Sequence, residues 1–103
     1  MSMRERTLGY LLAAADDVRQ QVAYYQARAP GLEQRFLASL RDVEGLVLSN
    51  PERFAQIEPN TSIRAVLLRR FPFRFMYSIR EDVILVVAVA HTAREPRQFA
   101  GRK

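Results

Sequence analysis

The chain is 103 residues long, 49% hydrophobic, with only four glycines and five prolines, which excludes a disordered or low-complexity polypeptide and predicts one domain over residues 1–103. There is no cysteine, so disulfides, thiol catalysis and zinc–thiolate sites are excluded together. The formal charge of +5 is unevenly spread: residues 1–62 carry seven arginines against eight acids, whereas residues 63–103 carry eight arginines and Lys103 against Glu81, Asp82 and Glu95. Such a basic C-terminal part suits an acidic partner, either nucleic acid or an acidic protein segment. A solvated, arginine-rich sheet face accounts for the same count.

Arg4 and Arg6 ahead of Thr7–Ala15, ending Ala13-Ala14-Ala15, imitate a signal peptide. The imitation is at the lower length limit of such segments, and helical periodicity runs straight through the supposed cut. No apolar run approaches the ~20 residues of a membrane span. The reading is a soluble cytoplasmic protein.

Residues 4–11 alternate poorly, and Gly9 disfavours a helix by roughly 1 kcal/mol relative to Ala, so a short edge strand is expected there. From Leu12 the residues Leu12, Ala15, Val18, Val22, Tyr25 and Ala29 recur at spacings of three and four, an apolar stripe on a helix. Pro30-Gly31 breaks it. Leu32, Phe36, Leu40, Val43 and Val47, thickened by Leu37, Leu46 and Leu48, predict a second helix that Ser49-Asn50-Pro51 stops. The two form an antiparallel helical hairpin. Residues 50–62 are irregular, with one helical turn expected at Glu52–Ala55.

Ile63–Leu68 reads as a strand and Arg69-Arg70-Phe71-Pro72 as a turn. From Phe73 to Arg80 the chain alternates, with Phe73, Phe75, Tyr77 and Ile79 on one face and Arg74, Met76, Ser78 and Arg80 on the other. Glu81-Asp82 reverse the chain. Val83–Ala90 is apolar on both faces, as in a strand that is central or covered twice. The result is an α+β fold: an N-terminal strand and a helical hairpin packed on a mostly antiparallel sheet of three to four strands. After this strand the chain is polar and basic, apart from Phe99, whose ring is expected to pack.

Catalytic equipment is sparse. There is one histidine and one lysine, no glycine-rich phosphate loop and no metal-spaced cluster, so neither a metal site nor a cofactor is predicted. Asp16 and Asp17 are adjacent on a helix and their side chains diverge. His91, at the end of the central strand, is either a general base or a histidine hydrogen-bonded to nearby backbone. Arg64, Arg69, Arg70, Arg74, Arg80, Arg94 and Arg97 could hold phosphates or stabilise developing negative charge, but arginine cannot act as a base at neutral pH. Tyr77 lies in register with Phe73, Phe75 and Ile79, which favours core packing over base stacking.

Three segments in this order, AYY…PGL…RF, RRFPFRFMY and the strand ending VAVAH, resemble the RelE/ParE toxins of bacterial type II toxin–antitoxin pairs. The resemblance covers about residues 12–99. In the RelE-like ribonuclease branch it implies lysines where Ala65 and Leu67 stand, an arginine at Arg74, another near Ala93 or Arg94, and a tyrosine at Phe99. Most of that set is missing here. The ParE-like branch is the nearer likeness, particularly in RRFPFRF and AVAH. It implies a non-enzymatic toxin of plasmid-stabilisation type that binds DNA gyrase and is neutralised by a cognate antitoxin. The residues expected to meet partner or target are Arg64, Arg69, Arg70, Arg74, Arg94 and Arg97. The rival expectation is a ribosome-dependent endoribonuclease acting on mRNA through His91, Arg74 and Arg94. A third is an inactive toxin scaffold that only binds a partner.

Overall fold

In the computed structural model, which describes residues 6–102, the sheet is built around its last strand. The elements are β1 (Thr7–Tyr10), α1 (Leu12–Arg28), α2 (Leu32–Ser49), β2 (Arg64–Leu67), β3 (Phe73–Arg80), β4 (Val83–His91) and a 3-10 turn, Pro96–Phe99. The strand order is β1-β4-β3-β2. β3 pairs antiparallel with both β4 and β2, and β1 pairs parallel with β4. This is the expected α+β arrangement, with four strands and one parallel pair.

The helical hairpin closes as its sequence predicts, because Gly31 takes φ +81° between the two helices, a conformation open to glycine without steric cost. The stripe on α1 is displaced from the expected one. Leu12 is 82% exposed and Ala14 is buried; Leu11, Val18, Val22 and Tyr25 complete the packed face. Leu11 is drawn inward because its N–H continues the β1 ladder, donating to the Val86 carbonyl at 2.9 Å. On α2, Phe36, Leu40, Val43 and Val47 are buried as expected, whereas Leu46 and Leu48 are exposed. The helical turn expected at Glu52–Ala55 is absent. Its carbonyls are used otherwise: Arg64 donates to Glu52 O at 3.1 Å and to Phe54 O at 2.7 Å. Residues 55–57 then run beside β2, through the Ala65 N–H to Ala55 O and the Ile57 N–H to Ile63 O. Of the strand expected over residues 4–11, residues 4 and 5 lie outside the described part.

Two apolar layers sandwich the sheet. On the helix side Phe73, Phe75, Tyr77, Ile84, Val86 and Val89 pack with Phe36, Leu40, Val43 and Val47. On the other side Met76, Val87, Ala88 and Ala90 pack with Ile63 and Phe99, so the C-terminal turn covers the face that the helices leave open. Side chains alternate along a strand, yet Val87 and Ala88 both belong to the second layer. The cause is a β-bulge: Met76 pairs with Ala88 and Tyr77 with Val86, leaving Val87 as an extra residue.

β1 ends at Tyr10, opposite Val86, so the outer edge of β4 has no strand beside it further on. Side chains take over its backbone groups there. The Val89 N–H donates to Asp17 Oδ2 at 3.1 Å, and Arg102 Nη1 donates to Val87 O at 2.9 Å and to the same Asp17 oxygen at 2.8 Å. Asp16, one residue away, pairs on the surface with Arg19, so the two carboxylates diverge as expected.

Elsewhere Tyr10 ties β1 to α2 by donating to Glu44 Oε2 at 2.6 Å. Burial and the adjacent Glu44 carboxylate raise the Tyr10 phenol above its ordinary value of 10.0. Two outcomes are expected. Asp17→Ala leaves the Val89 N–H and the Arg102 guanidinium without their acceptor and should lower the unfolding free energy by about 2–3 kcal/mol in urea titrations, with Asp17→Asn intermediate. As pH rises through 10, the unfolded chain releases the phenolic proton while the fold retains it, so stability falls on the alkaline side. Tyr10→Phe should flatten that fall above about pH 10.

Candidate functional site

Directly opposed residues of neighbouring strands point to the same face, which fixes where each candidate lies. Phe73 pairs with His91 and Arg74 with Ala90. His91 therefore stands on the helix side, its ring 5.4 Å from that of Phe73. Arg74 stands on the opposite side, over the layer that Phe99 covers. The structure does not bring these two together. His91 Nδ1 accepts the Ala93 N–H at 3.0 Å, the strand-end arrangement that the sequence offered as the alternative to a general base.

The six arginines expected to meet a partner do not share one surface. Arg64 pairs with Tyr77, so it stands on the helix side, and its guanidinium is tied to the Glu52 and Phe54 carbonyls. Arg74 donates to Thr92 O at 3.2 Å and to Arg94 O at 3.0 Å, holding the bend after β4. Arg94 lies over the Phe99 ring, 4.9 Å from its centroid, and Arg102 lies 4.8 Å from the same centroid. Arg97 is exposed in the 3-10 turn. Arg69 and Arg70, in the turn between β2 and β3, line a cleft against α2. Tyr77 is fully buried in the helix-side core, and its hydroxyl donates to the Pro51 carbonyl. Burial raises its phenol while the nearby Arg64 charge opposes that shift.

Ala65, Leu67, Arg74 and Phe99 do converge on one face. Ala65 pairs with Met76 and Leu67 with Arg74, and Ala65, Met76 and Phe99 belong to the same apolar layer. None of these four exchanges a proton at neutral pH, since the Arg74 guanidinium stays charged, and Phe99 is 2% exposed.

Two open clefts flank the helix side. One, of about 530 Å3, lies between α2 and the β2–β3 turn and is lined by Leu32, Arg35, Ala38, Ser39, Asp42 and Arg69 to Phe71. The other, of about 550 Å3, is lined by Gln20, Gln21, Tyr24, Tyr25, Phe73 and His91. Arg35 was not among the sequence candidates. It sits on α2, and only the packing of that helix beside the Arg69-Arg70 turn joins it to them. Among the described residues no group of three or more potential ligands could hold a metal ion, and no helix is long and apolar enough to cross a membrane.

The ParE toxin of the type II toxin–antitoxin system, parDE, is the family whose profile matches residues 10–96. This chain belongs to the ParE toxin family. No curated protein sequence matches it. A solved chromosomal ParDE TA system from P. aeruginosa has a similar fold, with a TM-score of 0.61 at 15% identity, covering 87% of this chain and 98% of that one. Within the ParE fold, then, the chain uses Arg64 and Arg74 as internal clips and leaves Arg35, Arg69 and Arg70 at a cleft.

Arg74→Ala should remove both anchors of the bend at residues 92–94 and cost about 1–3 kcal/mol. Amide hydrogen exchange from Arg94 to Phe99 should rise, while exchange in α1 and α2 stays unchanged.

Proposed function

We propose that this ParE-family chain is a non-enzymatic toxin that acts in the cytoplasm by binding DNA gyrase, and that a cognate antitoxin neutralises it through protein contacts. The proposal treats residues 1–103 as one toxin domain without cofactor or metal. One observation carries it: the chain's single histidine and the arginines of the rival ribonuclease reading stand on opposite faces of the sheet. Cleavage of RNA by attack of a ribose 2′-hydroxyl needs a base, an acid and a cation around one phosphate. On the Arg74 face, Ala65, Leu67 and Phe99 offer no proton transfer, and Arg74 is occupied by two carbonyls. On the His91 face the cleft is lined by Gln20, Gln21, Tyr24 and Tyr25, and Arg28 beside it is held on the Tyr24 hydroxyl and ring. The choice of gyrase follows the ParE-like branch that RRFPFRF and AVAH resemble. A basic protein in search of an acidic protein surface is consistent with that choice.

Purified protein should block DNA supercoiling by gyrase and leave ribosome-bound message intact. His91→Ala should retain growth arrest on induced expression and fold normally. Message cleavage that disappears in His91→Ala, with supercoiling untouched, contradicts the proposal.

A further inference from the structure

We propose that residues 93–102 are a strap that opens as one unit while the helix side stays folded, and that its opening bares an apolar face of the sheet. The strap is a property of the chain itself and does not depend on the target or on the antitoxin.

The way the strap is tied down carries the proposal. The Thr92 N–H donates to the Pro72 carbonyl at 2.9 Å. Beyond Thr92, among the described residues, the backbone bonds are local: Arg94 to His91, Gln98 to Glu95, Ala100 to Arg97 and Arg102 to Phe99. Such bonds shape the segment without holding it to the sheet. Phe99 alone is buried within residues 93–102, so the attachment comes down to one ring and two guanidiniums. The ring sits over Met76, Val87, Ala88 and Ala90, with the Arg94 and Arg102 guanidiniums stacked on it. Arg102 reaches the Val87 carbonyl and Asp17, and Arg74 reaches up from the sheet to the Thr92 and Arg94 carbonyls.

The helix side is joined differently. Phe36, Leu40, Val43 and Val47 pack there on Phe73, Phe75 and Tyr77, and the two layers have no fully buried residue in common. Losing the strap's contacts therefore removes nothing from the helix-side core. Asp17 belongs to α1 and keeps its bond to the Val89 N–H, so helix and strand edge stay joined when Arg102 leaves. A contiguous segment with few buried contacts of its own is the kind of unit that opens before the whole fold does.

Opening changes what the molecule presents. Met76, Val87 and Ala88, each 0% exposed under the closed strap, meet water. The Val87 carbonyl loses its donor on the outer edge of β4. A bare apolar face beside a free strand edge is a surface that folded proteins keep covered. The strap is the cover, and it makes the second face of the sheet conditional on its own closure.

The chain has no cysteine, so one introduced thiol reports on one place. Ala88→Cys puts it beneath the strap and Ala14→Cys puts it in the helix-side core; both alanines are 0% exposed. Each whole purified variant is treated with a maleimide, and its rate is divided by the rate of the same variant unfolded in urea. The thiol at position 88 should react about a hundredfold faster than the thiol at position 14. Below the unfolding transition its rate should rise only shallowly with urea, whereas the rate at position 14 climbs with the full slope of unfolding. Ala90→Cys, beneath the same ring, should behave as Ala88→Cys does and replaces it if that variant does not fold. Adding Phe99→Ala should speed labelling at position 88 about tenfold or more and keep the shallow slope. Equal normalised rates and equal slopes at positions 88 and 14 mean that the strap leaves only when the whole chain unfolds, and overturn the inference. Labelling at position 88 that Phe99→Ala leaves unchanged also overturns it, since Phe99 is then not the cover. No step uses gyrase, so failure of the gyrase proposal and failure of this one are read separately.

Discussion

β4 must satisfy its backbone on two edges and bury side chains on two faces, and no single neighbour can do all of this. β3 covers one edge along the strand's length. β1 covers the other only as far as Val86, and Asp17 with Arg102 completes it at Val87 and Val89. An unsatisfied buried backbone group costs on the order of 1–3 kcal/mol, so the Asp17–Arg102 pair replaces a missing length of strand. It also anchors the C-terminal segment beside α1, which keeps Phe99 over Met76, Val87, Ala88 and Ala90. The sheet's second face therefore depends on an ion pair between the first helix and the end of the described chain.

The bulge at Val87 divides the chemistry. By inserting one residue it reverses the facing of everything after it, so Val89 joins the helix-side core and Ala90 the opposite layer. His91 follows Val89 to the helix side. A regular β4 would have put His91 on the Arg74 face. The same guanidinium chemistry then serves two purposes in different places. At Arg64, Arg74 and Arg102 it gathers carbonyls that loops and a strand edge leave over, using several fixed donors at once. At Arg35, Arg69 and Arg70 it lines the cleft between α2 and the β2–β3 turn.

Much of the fold was legible in the residues. Alternation from Phe73 to Arg80 placed β3 to the residue, and Pro30-Gly31 and Asn50-Pro51 bounded the helices. The misreadings share a cause, which is that long-range contacts overrode local pattern. Leu12 fits the three-four spacing as well as Ala14 does, and only the hydrogen bond from Leu11 to Val86 turns Leu12 outward. Glu52–Ala55 lacks a helical turn because Arg64, ten and more residues away, takes its carbonyls. The continuous apolar run of β4 correctly announced two buried faces, but such a run hides a bulge, since no polar residue marks where alternation slips. The bulge also keeps His91 and Arg74, grouped in the rival ribonuclease expectation, on opposite faces, and Arg35 joins Arg69 and Arg70 only through the packing of another element. Tyr77 and the diverging Asp16 and Asp17 were read correctly from local geometry.

In this chain the ParE fold carries a sheet in which Arg64 and Arg74 are engaged by backbone carbonyls. The separation of His91 from Arg74 by the bulge underlies the view that the chain binds rather than cuts. Nuclear Overhauser contacts in the isotope-labelled protein test it most directly. The account predicts contacts between the ring protons of His91 and Phe73, contacts from the Phe99 ring to the Arg94 and Arg102 side chains, and none between the His91 ring and the Arg74 side chain. A strong contact joining His91 to the Arg74 side chain would place both on one face and contradict it.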